Sequence, residues 1–271
     1  MTPYLSITRS LLHRGTVDRG PVALMYHAVS PGKDIPRWPW AVSIQRFREQ
    51  LDYLAAEGYA TPTVSELFTD PVRRAARTAI ITFDDGYVDN LDACEELHKR
   101  GMRATWFVVT GSIGREPKWA DAGRPAGRLL NKAELRAVQE AGMEVGSHSV
   151  SHQRLPELDA LRLQQELTDS KATLEDVLGR EVTSFAYPYG DWNEVCEAAV
   201  RAAGYRAACT TQTGWATRDN DPFRLRRLTI FNDDTCSFFA RKLAFASHDA
   251  QWSQLAGYWG RQLATKLAGR P

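Results

Sequence analysis

The sequence predicts an α/β fold, a parallel sheet with helices packed on its outside. Three observations carry this. A unit of polar cap, helical apolar stripe, glycine and short β-rich run recurs along the chain. Helices separate most of the roughly seven β-rich runs. Ionisable side chains gather where those runs end.

The first run, "PVALMYH" (21–27), ends on His27. In "SIQRFREQLDYLAAEGY", Ser43 is placed to cap a helix whose Ile44, Phe47, Leu51 and Leu54 share one face, with Gly58 as its stop. "TAIITF" (78–83) reads as a buried strand. The helix in "NLDACEELHKRGMRATWFVV" ends at Gly101 and leads into a strand at 103–109. Asn131 and Glu134 have capping-box spacing before a helix that stops at Gly142 and a strand at 143–147. A long helix then runs to Gly179, followed by a strand at 182–187. Asp191, Glu194 and Gly204 repeat the device, and "FRLRRLTIF" (223–231) supplies the last run. An open doubly wound sheet and a closed barrel both satisfy this pattern. No GxGxxG loop follows any strand, which weakens a dinucleotide-binding reading. Either architecture collects its chemistry at the C-terminal ends of the strands.

Composition narrows the function classes. Among 271 residues, 34 Lys and Arg stand against 33 Asp and Glu, so there is no electrostatic case for nucleic acid. Cys94, Cys196, Cys209 and Cys236 form no CxxC pair and fit reduced thiols rather than a disulfide framework. No stretch is long and apolar enough to span a membrane, and "MTPYLSITRSLLHRG" lacks the apolar region of a secretory signal. The expected address is the cytoplasm, with the inner membrane surface as the alternative within it.

The strand ends hold the chemistry. "AIITFDD" sets Asp84 and Asp85 side by side, where two like charges repel and are costly to desolvate. "SHSVSH" places His148 and His152 four apart, within reach of a common point. Two imidazoles and one carboxylate make three ligands for a divalent metal and leave a position open, as catalytic sites require. Asp85 can be the carboxylate ligand, with Asp84 then an adjacent carboxylate held ionised by the cation it faces.

These residues resemble the polysaccharide deacetylases of the NodB-homology type (carbohydrate esterase family 4). "TFDDG" (82–86), "HSVSH" (148–152) and "YPYG" (187–190) look like that family's first three motifs in order and spacing, and the likeness covers about residues 20–232. The resemblance implies a distorted (β/α)7 barrel. It also implies Asp84 as general base, Asp85, His148 and His152 as metal ligands, and the Tyr189 N–H as oxyanion donor. Zinc is the default metal, although cobalt, nickel or iron suit the same ligands. The domain boundaries expected are an N-terminal extension (1–20), a deacetylase barrel (21–235) and a C-terminal helical extension (236–271).

Two positions depart from the family pattern. Ala186 stands where the third motif usually carries a base-orienting arginine, and Arg227 is the candidate replacement from another strand. No strand with a terminal histidine follows "LRRLTI". "VALMYH" has that form, as in a circularly permuted branch acting on poly-N-acetylglucosamine, so His27 is assigned as general acid, with an ordinary pKa near ~6.5. His248, in a stretch that reads as amphipathic helix, is the alternative.

The implied reaction is hydrolysis of the N-acetyl group of an amino sugar in a glycan or a lipid-linked precursor, releasing acetate. Trp119, Tyr189, Trp192 and Arg227 are the expected substrate-facing side chains, with Trp38, Trp40 and Trp215 further aromatics that either stack on sugars or belong to the core. The loop at 111–128 reads as a rim over the site or as a solvated loop. Trp252, Leu255, Trp259 and Leu263 recur at helical spacing, so the C-terminal stretch either packs on the barrel or makes peripheral membrane contact. The rivals are a facial-triad iron oxygenase, a deformylase or cyclic-amide hydrolase, and an inactive carbohydrate-binding relic.

Overall fold

Seven parallel strands form one curled sheet, in the order Ala207–Cys209, Ser184–Ala186, Glu144–Ser147, Thr105–Val108, Ala79–Phe83, Val22–Tyr26 and Leu228–Thr229. The structure is a computed structural model that describes residues 20–69, 77–119, 123–124 and 126–249. The strands are β1 (Val22–Tyr26), β4 (Ala79–Phe83), β5 (Thr105–Val108), β6 (Glu144–Ser147), β7 (Ser184–Ala186), β8 (Ala207–Cys209) and β9 (Leu228–Thr229). A two-stranded parallel pair, β2 (Ala28–Ser30) and β3 (Ala41–Ser43), lies outside it and has no counterpart in the sequence reading.

The helices follow their strands. They are α1 (Ile44–Ala56), α2 (Val64–Thr69), α3 (Asn90–Lys99), α4 (Lys132–Glu140), α5 (Ala160–Leu178), α6 (Glu194–Ala202) and α7 (Cys236–Phe245). Ser43 caps α1 by accepting from the Arg46 N–H, and Ile44, Phe47, Leu51 and Leu54 are all buried. Asn131 and Glu134 form a reciprocal capping box at α4. Gly179 closes α5 in the left-handed conformation at φ 66°. The cap of α6 is Asn193 rather than Asp191, because Asp191 is engaged in an ion pair with Arg154.

Strands buried on both faces need apolar residues at every position, and β1 and β4 are buried throughout. Phe83 stacks on Trp106 at 4.4 Å and on Tyr26 at 5.5 Å, continuing the core across three neighbouring strands. Four free cysteines agree with reduced thiols. Among the described residues, no helix is long and apolar enough to cross a membrane.

The sheet curls into a distorted barrel, and one stretch of chain joins its edges. Leu225 bridges to Cys209 of β8, while Leu228 and Thr229 pair with Leu24 and Met25 of β1. The chain therefore crosses from one edge to the other within a few residues. This is why the run expected at 223–231 is regular strand only at Leu228–Thr229. Arg226 and Arg227 flank the crossing with opposite fates: Arg226 pairs with Asp219 near the surface, and Arg227 is fully buried.

α7 opens the segment expected as a C-terminal extension, yet its Phe239 and Leu243 lie in the same core as the barrel. It ends at Phe245, so His248 lies beyond the helix. Residues 1–19 and the stretch holding Trp252 to Leu263 lie outside the described residues.

The barrel leaves no room at Gly146 of β6. A Cβ there would sit 2.8 Å from the Phe107 ring and overlap the Ser184 hydroxyl. Gly146→Ala is expected to lower stability by about 1–3 kcal/mol in urea unfolding, as overpacked cores do. An unchanged midpoint would contradict this packing.

Candidate metal centre and its cavity

Register brings the strand-end residues together. Tyr26 pairs with Phe83, so His27 and Asp84 follow side by side, and the Asp84 N–H donates to the Tyr26 carbonyl at 2.9 Å. Val108 pairs with Ser147, and Ser147 with Phe185, which sets His148 next to Ala186. His148 Nδ1 donates to the Ala186 carbonyl at 2.7 Å. That bond fixes the tautomer and leaves the Nε2 lone pair facing Asp85, 3.6 Å from Oδ1. His152 Nε2 approaches the same Oδ1 at 3.3 Å.

One ligand atom each from Asp85, His148 and His152 therefore falls within 4.8 Å of the others, and all three residues are buried. Burial holds His148 below the ordinary histidine range. Burial, with His148 beside it, pushes His152 down to about 2. Both imidazoles are thus neutral, the form that binds metals. A carboxylate and two neutral imidazoles with converging lone pairs fit a divalent cation.

The backbone is bent to achieve this. Among the described residues, six non-glycine positions have positive φ, and four of them are Asp85 (71°), Ser149 (65°), His152 (59°) and Tyr189 (60°). Such conformations cost on the order of 1 kcal/mol or more each and persist only where surrounding contacts impose them.

Asp84 stands behind this set. Arg227 donates to both of its oxygens, Nη1 to Oδ1 at 2.6 Å and Nη2 to Oδ2 at 2.8 Å. The guanidinium also donates to the Thr210 carbonyl and the Thr82 hydroxyl, so it is oriented independently of its partner. Burial is the largest single influence on the Asp84 carboxyl and would raise it, but the Arg227 charge and hydrogen bonds, with His148 and His27, together outweigh it and hold the group down to about 2. Arg227 at 0% exposure cannot meet a substrate, which corrects its placement among the substrate-facing side chains. Its geometry is that of a clamp on Asp84.

Asp84, Asp85, His148 and His152 line a cavity of about 330 Å³ with His27, Met25, Trp40, Trp119, Arg154 and Tyr189 among its walls. Trp119 stacks on His152 with ring centres 4.5 Å apart, and the Tyr189 ring, tilted, also lies 4.5 Å from it. Tyr189 is 42% exposed at the mouth, with the Arg154 guanidinium 4.3 Å above its ring. Trp192 does not line the cavity: it lies against the core near Tyr187, with Arg224 over its ring. Trp38 is buried beside His27, and Trp215 packs on the core.

His27 lies in the cavity wall, whereas His248 bonds to Thr213 and accepts from the Thr229 N–H away from it. Burial lowers His27 from the expected 6.5 to about 4, although the Asp84 charge pulls the other way. Arg154 and Thr211 were missed by the sequence reading. Arg154 follows His152 by two residues, and that proximity was the available signal.

A sequence profile described as polysaccharide deacetylase matches residues 72–208. YxkH of Bacillus subtilis, whose assignment as a polysaccharide deacetylase is provisional, is 31% identical over 76% of this chain and 70% of its own. The poly-β-1,6-N-acetyl-D-glucosamine N-deacetylase of Staphylococcus epidermidis is 26% identical, covering 78% of this chain and 79% of that one. Among solved structures, IcaB from Ammonifex degensii superposes with TM-score 0.68 at 25% identity, over 83% of this chain and 97% of that one. The Streptococcus pyogenes deacetylase PplD, solved with acetate, has TM-score 0.71 over 83% and 98% of the two chains; at 24% identity it shows the fold alone.

Two outcomes follow from the buried charges. Arg227→Met strands an ionised carboxylate, and urea unfolding at neutral pH should show a loss of about 3–5 kcal/mol; a loss below about 1 would contradict the clamp. In the metal-free protein the cavity histidines His27, His148 and His152, all lowered, bind fewer protons than they do in the unfolded chain. Stability should therefore be full above their ordinary 6.5 and decline as pH falls, through about 4 for His27, with Asp84 adding a further loss between 3.8 and about 2. Stability that rises on acidification from 6.5 would contradict these environments.

Proposed function

The chain belongs to the polysaccharide deacetylase family, and from that premise we propose that it is a metal-dependent hydrolase removing the N-acetyl group from amino sugars of a glycan. The observation that carries the reading is the convergence of Asp85, His148 and His152 beside an arginine-clamped Asp84. We take 21–235 as the catalytic barrel. The relatives' names favour a polymer of N-acetylglucosamine as substrate. The expected lipid-linked precursor and membrane contact gain no support, since the stretch invoked for membrane contact lies outside the described residues.

Asp85, His148 and His152 would hold a divalent cation, with zinc our choice, which when bound lowers the pKa of a water molecule toward ~7 and polarises an amide carbonyl. Asp84 takes the proton from the attacking water. Arg227 keeps this base ionised and aligned, and Arg227 also answers for the arginine absent at Ala186. Ala186 contributes its carbonyl instead, holding His148 in the ligand tautomer. The Tyr189 N–H is assigned to the developing oxyanion.

Breaking the C–N bond requires a proton on the leaving nitrogen, and His27 is assigned as its donor. With its pKa at about 4 it is neutral at pH 7 in the free protein, and must take up that proton during turnover. Asp84, which has just received one and whose charge favours protonated His27, is the source. Water thus supplies hydroxyl to the acyl carbon and hydrogen to the amine, and the products are acetate and a free amino sugar. Trp40, Trp119 and Tyr189 offer the sugar its faces.

The test is acetate release and product mass on N-acetylglucosamine oligomers, with the zinc-loaded and chelator-treated enzyme. Equal yields of acetate and amine are expected, lost with chelator and restored by zinc. Asp84→Asn should lower kcat by about 10²–10⁴-fold while zinc content is unchanged. Formate in place of acetate would reassign the acyl group, oxygen-dependent turnover would make the site an oxygenase, and full activity of Asp84→Asn would remove the base.

A further inference from the structure

His152 reaches Asp85 only because residues 149–152 form a tight loop with left-handed residues at both ends, Ser149 and His152. A loop of this shape cannot pass its N–H groups to a helix or a strand, and buried donors left unpaired cost about 1–3 kcal/mol each. Here all four consecutive N–H groups are taken by side-chain oxygens. Ser149 N–H donates to Ser147 Oγ at 3.3 Å, and His152 N–H donates to Ser149 Oγ at 3.1 Å. The two in the middle, Val150 and Ser151, both donate to Glu166 Oε2, at 2.9 and 2.8 Å. Ser151 Oγ adds a third bond, to Glu166 Oε1 at 2.6 Å.

Glu166 is 1% exposed, on the face of α5 that also buries Leu163, Leu167, Ser170 and Leu174. A carboxylate in such a stripe is expensive unless several donors meet it. Arg162, one turn earlier, adds an ion pair at 3.3 Å. From the other side the Thr110 and Gly111 N–H groups donate to the Ser149 and Val150 carbonyls at 3.1 and 2.8 Å. A Cβ at Gly111 would lie 2.5 Å from the Val150 oxygen, so glycine is what permits that approach.

We propose that Glu166 is a positioning residue for the metal centre, whose carboxylate holds the 149–152 loop in the shape that presents His152 to the cation. It touches neither substrate nor metal and acts through the loop. The proposal rests on the reading of the site given above.

The experiment titrates metal-free protein with zinc ion alone, in competition with a chromophoric chelator. Glu166→Ala should weaken zinc binding by about 10–100-fold, the range typical of groups that orient metal ligands. Glu166→Gln should stay within about threefold, because its amide oxygen still accepts both N–H groups and its NH₂ can donate to Ser151 Oγ. Leu167→Ala is the control: it destabilises α5 by about 2–5 kcal/mol without touching the loop, and zinc affinity should hold. Excess zinc should restore turnover of Glu166→Ala.

Unchanged affinity in Glu166→Ala would overturn the proposal, as would equal weakening in Leu167→Ala. If Glu166→Ala does not fold, Ser151→Ala decides, with about three- to tenfold weaker zinc binding expected from the loss of one charge-assisted bond and no change overturning the assignment. A wild-type protein that binds no zinc would defeat the site reading itself, an outcome distinct from a wild type that binds and a Glu166→Ala variant that binds equally well.

Discussion

A carboxylate and a guanidinium, both removed from water, meet where β4 ends: Asp84 and Arg227, joined by bonds of 2.6 and 2.8 Å. Either charge alone would be intolerable there, since breaking a buried pair leaves an uncompensated ion. The pair therefore ties two distant parts of the chain. Asp84 belongs to the central strands, and Arg227 to the short crossing by which the chain passes from β8 to β1. Joining the edges of the barrel and clamping the proposed base are the same event. The candidate metal ligands are arranged around that fixed point, with Asp85 next in sequence and the His148 loop two strands away.

The fold holds its strain beside this pair. Left-handed backbone at Asp85, His152 and Tyr189 turns three residues into one cavity, and at Ser149 it shapes the loop that carries His152. The hydrogen bonds of Ser147, Ser149 and Glu166, with Gly111 allowing close approach, offset the cost on the histidine side. Gly190, at φ 73°, does the same after Tyr189, where a Cβ would overlap Thr211. Chemistry on a rigid barrel is thus placed by bent loops, and in the 149–152 loop every backbone N–H is hydrogen-bonded.

Much of this was legible because local signals and tertiary packing agree. The caps at Ser43 and Asn131, the buried face of α1 and the buried strand at Ala79–Phe83 follow from spacing alone. The meeting of the Asp84–Asp85 doublet with His148 and His152 at the strand ends was legible too, and the family resemblance implied Asp85 as the member grouped with the two histidines. What escaped depends on contacts far apart in sequence. Asp191 looked like a cap, but Arg154 competes for it and Asn193 takes the role. The strand at 223–231 was overestimated because its residues must bridge two edges rather than pair along one. Trp192 and Arg227 were expected to face substrate, yet the core takes the first and Asp84 the second. Glu166 did leave a trace, a charge within an apolar helical stripe, which the pattern alone could not connect to a loop fifteen residues earlier.

The central claim is that the side chains around Asp84 grip a single divalent cation. X-ray absorption at the zinc edge, on protein loaded with one equivalent, tests it most directly. Nitrogen and oxygen neighbours near ~2.0–2.1 Å are expected, with the outer-shell scattering of two imidazole rings and the loss of one ring's scattering in His152→Ala. A spectrum of zinc with oxygen neighbours alone, or one that His152→Ala leaves unaltered, would contradict it.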